Sequence, residues 1–523
     1  MVLGFNLRDS LRNKRDIVTV LERNDRLEQI IDLINEKYVD TVNINALYND
    51  AVNGILSHLD PHTIYITKED LQSVNEDMEG SFFGIGVEFA IIKDTIQITS
   101  VIDNGPAAKV NLEVGDRIIK VGDSVVAGTH ITSDRIIKML RGKENTNVPL
   151  VIHSPLSQRT RNVTLQRGSI PLYSLDAHFM LDEQTGYIRI NRFSATTYDE
   201  FTEALKELTD KGMNSLILDL RQNPGGYLDA ATSIADDFLS GDKLIVYTEG
   251  RKAKRMEYEA GMTDLFENGK LAVLVDESSA SASEIVAGAI QDHDRGIIVG
   301  RRTFGKGLVQ EQYNMADGSA LRLTVAKYYT PSGRSIQRTY AKGKKAYAED
   351  FARRYETGEL TGTDTIAVGD TTKYYTDRNR VVYGGGGINP DIYVPYDTLK
   401  YNTALLSLVY SEPFRNAILN YYLRHQAVLK KIPDIDTYIK TYNAEDMPAM
   451  MLASLPKDMQ EGMDKLMQKP AMHRFLNLQM KAQLAKILFK TSGYYAVLAT
   501  RDTVIKKAIS VIKSDEYSTL IGR

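Results

Sequence analysis

Residues 271–310 read LAVLVDESSASASEIVAGAIQDHDRGIIVGRRTFGKGLVQ. An apolar run, Leu271–Val275, stops at Asp276, as a buried strand does. A Ser/Ala-rich turn follows, and the pattern from Ser281 to Gln291 predicts a helix. A second apolar run at Gly296–Gly300 predicts the next strand, and Gly305-Lys306-Gly307 comes after it. Strand, turn, helix and strand in this order make the repeating unit of a parallel or mixed sheet covered by helices. The first N–H groups of such a helix lack intrahelical partners and point outward. They can therefore stabilise negative charge on a carbonyl oxygen.

Upstream of this unit the same texture begins at Pro171. Strands are predicted at Gly186–Ile190, Ser215–Asp219 and Lys243–Tyr247, with helices near Thr197–Lys211 and Gly226–Leu239. This defines a core over 170–399, carrying a polar, Tyr-rich surface insertion at 340–380. Residues 80–169 have short strand-like runs, turns such as Asn104-Gly105-Pro106, and one helix near Ser133–Arg141, which suggest a small, partly open barrel. Residues 1–79 read as helices, with Leu27, Ile30, Ile31 and Ile34 at helical spacing and a stop at Asp60-Pro61. Residues 400–523 read as nearly all helix, and Met459, Met463 and Met467 form a stripe that predicts a core face.

Composition narrows the chemistry. The 523 residues carry 64 Lys and Arg against 68 Asp and Glu, a net charge of −4 that gives no reason to expect nucleic acid. No cysteine is present, so disulfides, a catalytic thiol and thiolate metal sites are excluded. The opening MVLGFNLRDSLRNKR is too short in apolar residues for the core of a secretory signal.

Four serines compete within the turn: Ser278, Ser279, Ser281 and Ser283. Ser281-x-x-Glu284 fits a capping box, and capping alone would explain it. Lys306 changes the weighing. A lysine between glycines in an apolar stretch can be desolvated until its amine is neutral near physiological pH. A neutral amine can take a serine proton, and Ser–Lys pairs are a variant of the catalytic triad. A third segment, Asp219-Leu220-Arg221-Gln222-Asn223-Pro224-Gly225-Gly226, ends a strand with adjacent glycines able to turn a backbone N–H into a cleft.

These segments stand in order with LDPHT at Leu59–Thr63, FGIGVE at Phe83–Glu88, YYTPSGRSIQ at Tyr328–Gln337 and GGGGINPD at Gly384–Asp391. Together they resemble the carboxy-terminal processing peptidases, over roughly Leu27 to Pro395. The resemblance implies a multidomain α/β and α+β architecture. Its parts are a crotonase-like (ClpP-like) peptidase core, an inserted PDZ β-barrel, N-terminal helices and a helical C-terminal region. It implies a serine endopeptidase that cuts proteins near or from their C-terminus through an acyl-enzyme. Ser281 would be the nucleophile, Lys306 the base, and Gln310 the group orienting the amine. The N–H of Ala282 and of Gly225 or Gly226 would form the oxyanion hole. Gly84, Ile85 and Gly86 would capture the carboxylate of a peptide with an apolar C-terminus, Val87–Ile92 would accept it as an added strand, and Ile136, Ile137 and Met139 would line its pocket. No metal or organic cofactor is implied. The helical terminal regions are candidates for a homodimer or adaptor contact. The family implies work outside the cytoplasm, in the periplasm or at a membrane. His293 reads as a surface residue.

Competing readings are a PDZ adaptor on a silent peptidase-like core, a crotonase-like acyl-CoA enzyme, and a nucleotide-binding protein built on Gly384–Gly387. Intact Ser281, Lys306 and Gln310 argue against the first and the upstream barrel against the second. The run Gly384–Gly387 lacks the Lys-Ser/Thr that the third requires.

Overall fold

The computed structural model describes residues 26–522 except 262–264, 364–370, 398–402, 444–446 and 456. The opening segment read for a secretory signal lies outside the described residues. Within them no helix is long and apolar enough to cross a membrane.

The central sheet has the strand order Leu175–Met180, Thr185–Ile190, Ser215–Asp219, Lys270–Val275, Ile297–Gly300, Ile392–Tyr393. The first pair is antiparallel and the others are parallel. Alternate residues of each strand face opposite sides. Leu216, Leu218, Val273 and Val275 pack on helices Thr197–Asp210, Leu228–Asp236 and Ala282–Asp292. Ile217, Ala272 and Leu274 pack instead on Val504, Ile505, Ala508 and Val511. Helix Thr503–Ile512 is thus the second cover of the central sheet. A second, antiparallel sheet sets strand Ala320–Tyr329 between Ile64–Ile66 and Leu244–Glu249, with Leu308–Asn314 also paired to it.

The barrel has the order Val87–Ile92, Thr95–Val101, Arg117–Val121, Asn147–Ser154, Arg159–Gln166. The chain enters and leaves it through the paired strands Ser81–Gly84 and Gly168–Pro171. Helices between Thr403 and Ala499 form their own apolar cluster, which buries Met447, Met451, Met463 and Met480. Ile92 of the barrel's edge strand belongs to that cluster, and Ala90 and Val114 pack against it. Lys486 and Lys490 add ion pairs to Glu88 and Asp103. Lys490 sits where helix Pro470–Ala499 breaks, at φ 60°.

Two expectations change. The stretch 340–380 is not purely a surface insertion: helices Gly343–Ala348 and Asp350–Glu356 expose most of their residues but turn one face inward, burying Tyr347 and Arg354, and Glu359 and Leu360 are buried after them. Their charges are paired inward, Arg354 with Asp350 and Glu359 with Arg302, which composition alone does not reveal. His293 is also not a surface residue; its ring is held between Asp377 and the Leu244 carbonyl.

Candidate active site

Ser281 stands at the carboxyl end of strand Lys270–Val275, at the start of helix Ala282–Asp292. Its backbone has φ 55° and ψ −111°, a strained conformation for a residue with a side chain. The neighbouring hydroxyls are spent locally. Ser279 Oγ donates to the Leu220 carbonyl at 2.8 Å and Ser283 Oγ to the Asn223 carbonyl at 3.0 Å. Ser278 is exposed in the turn.

Glu284 forms its half of the capping box, accepting the Ser281 N–H at 2.8 Å. The same buried carboxylate accepts the Lys306 N–H at 2.9 Å, the Gly305 N–H at 2.6 Å and Thr303 Oγ1 at 2.5 Å. One group therefore ties the serine's backbone to the lysine's. Burial raises its pKa, and these donors oppose the rise. The Phe304 N–H to the Ser279 carbonyl, at 3.0 Å, joins the two loops again.

The Lys306 ammonium donates to Gln310 Oε1 at 2.9 Å. Burial pushes its pKa down from 10.5 to about 8, and the nearby charge of Arg322 pushes the same way. About a tenth of the lysine is then neutral at pH 7. Gln310 Nε2 donates to the His62 carbonyl. Burial and the charge of Lys306 hold the His62 ring down to about 3, so it is neutral, with Nε2 at 2.8 Å from the Tyr347 hydroxyl.

The glycines now differ. The Gly225 N–H donates to Asn223 Oδ1 at 2.8 Å. Among the described residues no acceptor faces the N–H of Gly226 or of Ala282. A Cβ on Gly225 would lie 2.8 Å from Ser281 Cβ and 2.9 Å from the Ala282 nitrogen, and one on Gly226 would strike the Phe193 carbonyl. The absence of a side chain here lets the turn lie directly against Ser281.

In the barrel, the carbonyls of Ile85 and Gly86 are taken from inside, by the N–H groups of Ala107 and Ile102. Val87–Ile92 has one paired edge, against Thr95–Val101. Ile136 is buried in the barrel, Met139 packs against the same cluster, and Ile137 is exposed.

Residues 184–343 match the sequence profile of peptidase family S41, residues 72–153 that of the PDZ domain, and residues 6–70 that of the activating protease CtpB N-terminal domain. A probable CtpA-like serine protease of Staphylococcus haemolyticus is 34% identical over 352 residues, covering 67% of this chain and 69% of the relative. The chain belongs to the carboxy-terminal-processing serine proteases. Another relative, the carboxy-terminal-processing protease of Bartonella bacilliformis, is 36% identical over 318 residues, covering 60% of this chain and 72% of its own. Among solved structures, a photosystem II D1 C-terminal processing protease is 29% identical with a TM-score of 0.34, covering 59% of this chain and 83% of its own.

As a carboxy-terminal-processing protease, the chain is a serine-type peptidase with a PDZ domain. Reading residues one by one missed several groups around its lysine loop. Arg354 donates to the carbonyls of Arg302 and Thr303, each at 3.0 Å. Arg338 lies over the rings of Phe304 and Tyr347. Gln337 Oε1 accepts the Gly307 N–H at 2.8 Å. For Gln337 and His62 the signal was present in the matched segments YYTPSGRSIQ and LDPHT. Arg354 sits in no such segment.

Proposed function

We propose that this protease cleaves proteins at or near their C-termini with Ser281 as nucleophile and Lys306 as base. The observation that carries this is the Lys306 amine, buried, held by Gln310 and depressed to about 8, on a loop bonded through Glu284 to the backbone of Ser281. Neutral Lys306 accepts the Ser281 proton as Oγ attacks the scissile carbonyl. The N–H groups of Ala282 and Gly226 receive the oxyanion; engagement of Gly225 by Asn223 favours Gly226 over its neighbour. The protonated lysine gives its proton to the leaving amine, and water then hydrolyses the acyl-enzyme with the same lysine as base.

The PDZ domain captures the substrate's apolar C-terminus at Gly84–Gly86, with the peptide added along the free edge of Val87–Ile92. The exposed Leu27, Ile30 and Leu33 of helix Arg26–Lys37 support a homodimer through this arm, which sedimentation would detect. The family resemblance supports an extracytoplasmic place of work, testable by cell fractionation.

The deciding experiment incubates the wild type, Ser281→Ala and Lys306→Ala with an unfolded protein carrying an apolar C-terminus. Wild type cleaves and both variants fall to background. Cleavage surviving in either variant overturns the assignment.

A further inference from the structure

The lysine is held from a distance. Gln310 has one accepting and one donating end, and only the accepting end suits an ammonium or an amine N–H. What decides the orientation is the His62 carbonyl, which takes the amide NH2 and turns Oε1 toward Lys306. A flipped amide would set its own donors against those of the lysine.

The His62 carbonyl in turn depends on Asp60. That carboxylate accepts the N–H groups of His62 at 2.9 Å and Thr63 at 3.1 Å, and the hydroxyls of Thr63 at 2.6 Å and Thr324 at 3.0 Å. The Thr324 N–H closes the ring onto Thr63 Oγ1 at 3.2 Å. Thr324 faces Gln310 across the strand pair, so the turn is fastened to the strand that lies beside the lysine's partner. On one side the His62 ring packs edge-on against Phe304 and Tyr347; the other side of the turn borders open space. A cavity of about 490 Å³ lies there, lined by Leu59, Asp60, Pro61, Thr324, Tyr340 and Lys344 among others. With open space on that side, the Asp60 bonds to the His62 and Thr63 N–H groups hold the peptide that carries the His62 carbonyl.

We propose that Asp60 is a positioning residue of the peptidase site: its carboxylate fixes the His62 carbonyl, which orients Gln310 so that the amide oxygen meets Lys306. This rests on the reading of Lys306 as the base. It makes the end of the N-terminal helices part of the machinery. Helix Ile44–Leu56 runs into this turn, and Lys344 Nζ holds its last carbonyl at 2.8 Å.

The charged groups around Lys306 separate positioning from plain electrostatics. Arg322 disfavours the ammonium, while Glu284 and Asp60 favour it. Removing the charge of Asp60 alone would move the acid limb of the rate profile to lower pH and speed turnover near neutrality. Loss of positioning does the reverse to turnover.

The test uses the full chain and a peptide substrate. Asp60→Ala is expected to lower kcat about 100-fold, with KM within about 3-fold of wild type. Asp60→Asn keeps an acceptor without the charge and is expected to recover most of that loss. The double variant Asp60→Ala/Gln310→Ala should be no slower than Gln310→Ala alone, because both break one chain of contacts. Multiplying losses, or Asn failing as badly as Ala, would overturn the proposal. Should Asp60→Ala lose its cooperative thermal transition, Thr63→Val and Thr324→Val are crossed with Gln310→Ala and read in the same way. Ser281→Ala and Lys306→Ala run alongside. Activity in either removes the Ser–Lys reading itself, whereas silence in both with multiplying Asp60 and Gln310 losses removes this proposal alone.

Discussion

The two halves of the active site are built differently. The serine half grows out of the central sheet: strand, turn and helix are contiguous, largely buried and joined by short bonds through Asn223, Ser279 and Glu284. The lysine half is assembled from segments far apart in the chain. Residues 60–63, 337–338 and 347–354 converge on residues 302–310, mostly through side-chain bonds to backbone. A contiguous half inherits its geometry from the core. An assembled half has geometry that other parts of the molecule can alter.

Glu284 ties both halves with the most bonds, and Glu284→Ala is the strongest way to break the comparison. It leaves the N–H groups of Ser281, Gly305 and Lys306 buried without their acceptor. We expect activity to fall about 10³-fold and unfolding free energy by about 3 kcal/mol, read by peptide cleavage and denaturant titration. Retained activity would mean that the halves are held independently. Gly225→Ala comes next and strikes the serine half alone. Its φ of 96° and the contact with Ser281 predict a loss of about 100-fold, while affinity of the PDZ domain for a C-terminal peptide stays unchanged by fluorescence polarisation.

On the lysine half, Arg354→Ala removes the donors to the carbonyls of 302 and 303 and is expected to cost about 10-fold in kcat. The smallest effect belongs to Arg322. Because its charge holds Lys306 down, Arg322→Gln lets the lysine pKa rise, so an activity profile expected to climb through about pH 8 with Lys306 as base moves to higher pH by a few tenths of a unit. A shift to lower pH would contradict the arrangement. Lys306 also marks stability. Between about 8 and 10.5 the unfolded chain holds the proton that the folded lysine has lost, so this group makes stability rise with pH across that window.

The comparison also accounts for what the sequence made legible. A continuous apolar run and a helix-start signature mark Leu271–Gln291, because its neighbours in space are its neighbours in the chain. Ser281 needed more: capping and chemistry share the position, and the structure has Glu284 accepting its N–H as a cap would have it. The lysine half was legible only in part: Lys306 and Gln310 stand in FGKGLVQ, but the groups around them do not announce themselves. Arg354, Glu359 and Asp350 look like surface residues, since burial by mutual pairing leaves no apolar pattern. The helix TVIKKAISVI at Thr503–Ile512 reads as amphipathic, yet nothing local says that its partner is a sheet more than 200 residues upstream.

Among the described residues the barrel is held by the strand pair Ser81–Gly84/Gly168–Pro171, by the ion pair of Arg141 with Glu76 of helix Lys68–Glu79, and by the helical brace behind Ile92. The two ion pairs on the brace are exposed and worth about 1 kcal/mol or less each, so the apolar contact of Ile92, Ala90 and Val114 bears most of the load. The barrel is thus mounted as a shelf on brackets, its peptide edge kept at a set height above the sheet by contacts from three separate parts of the chain.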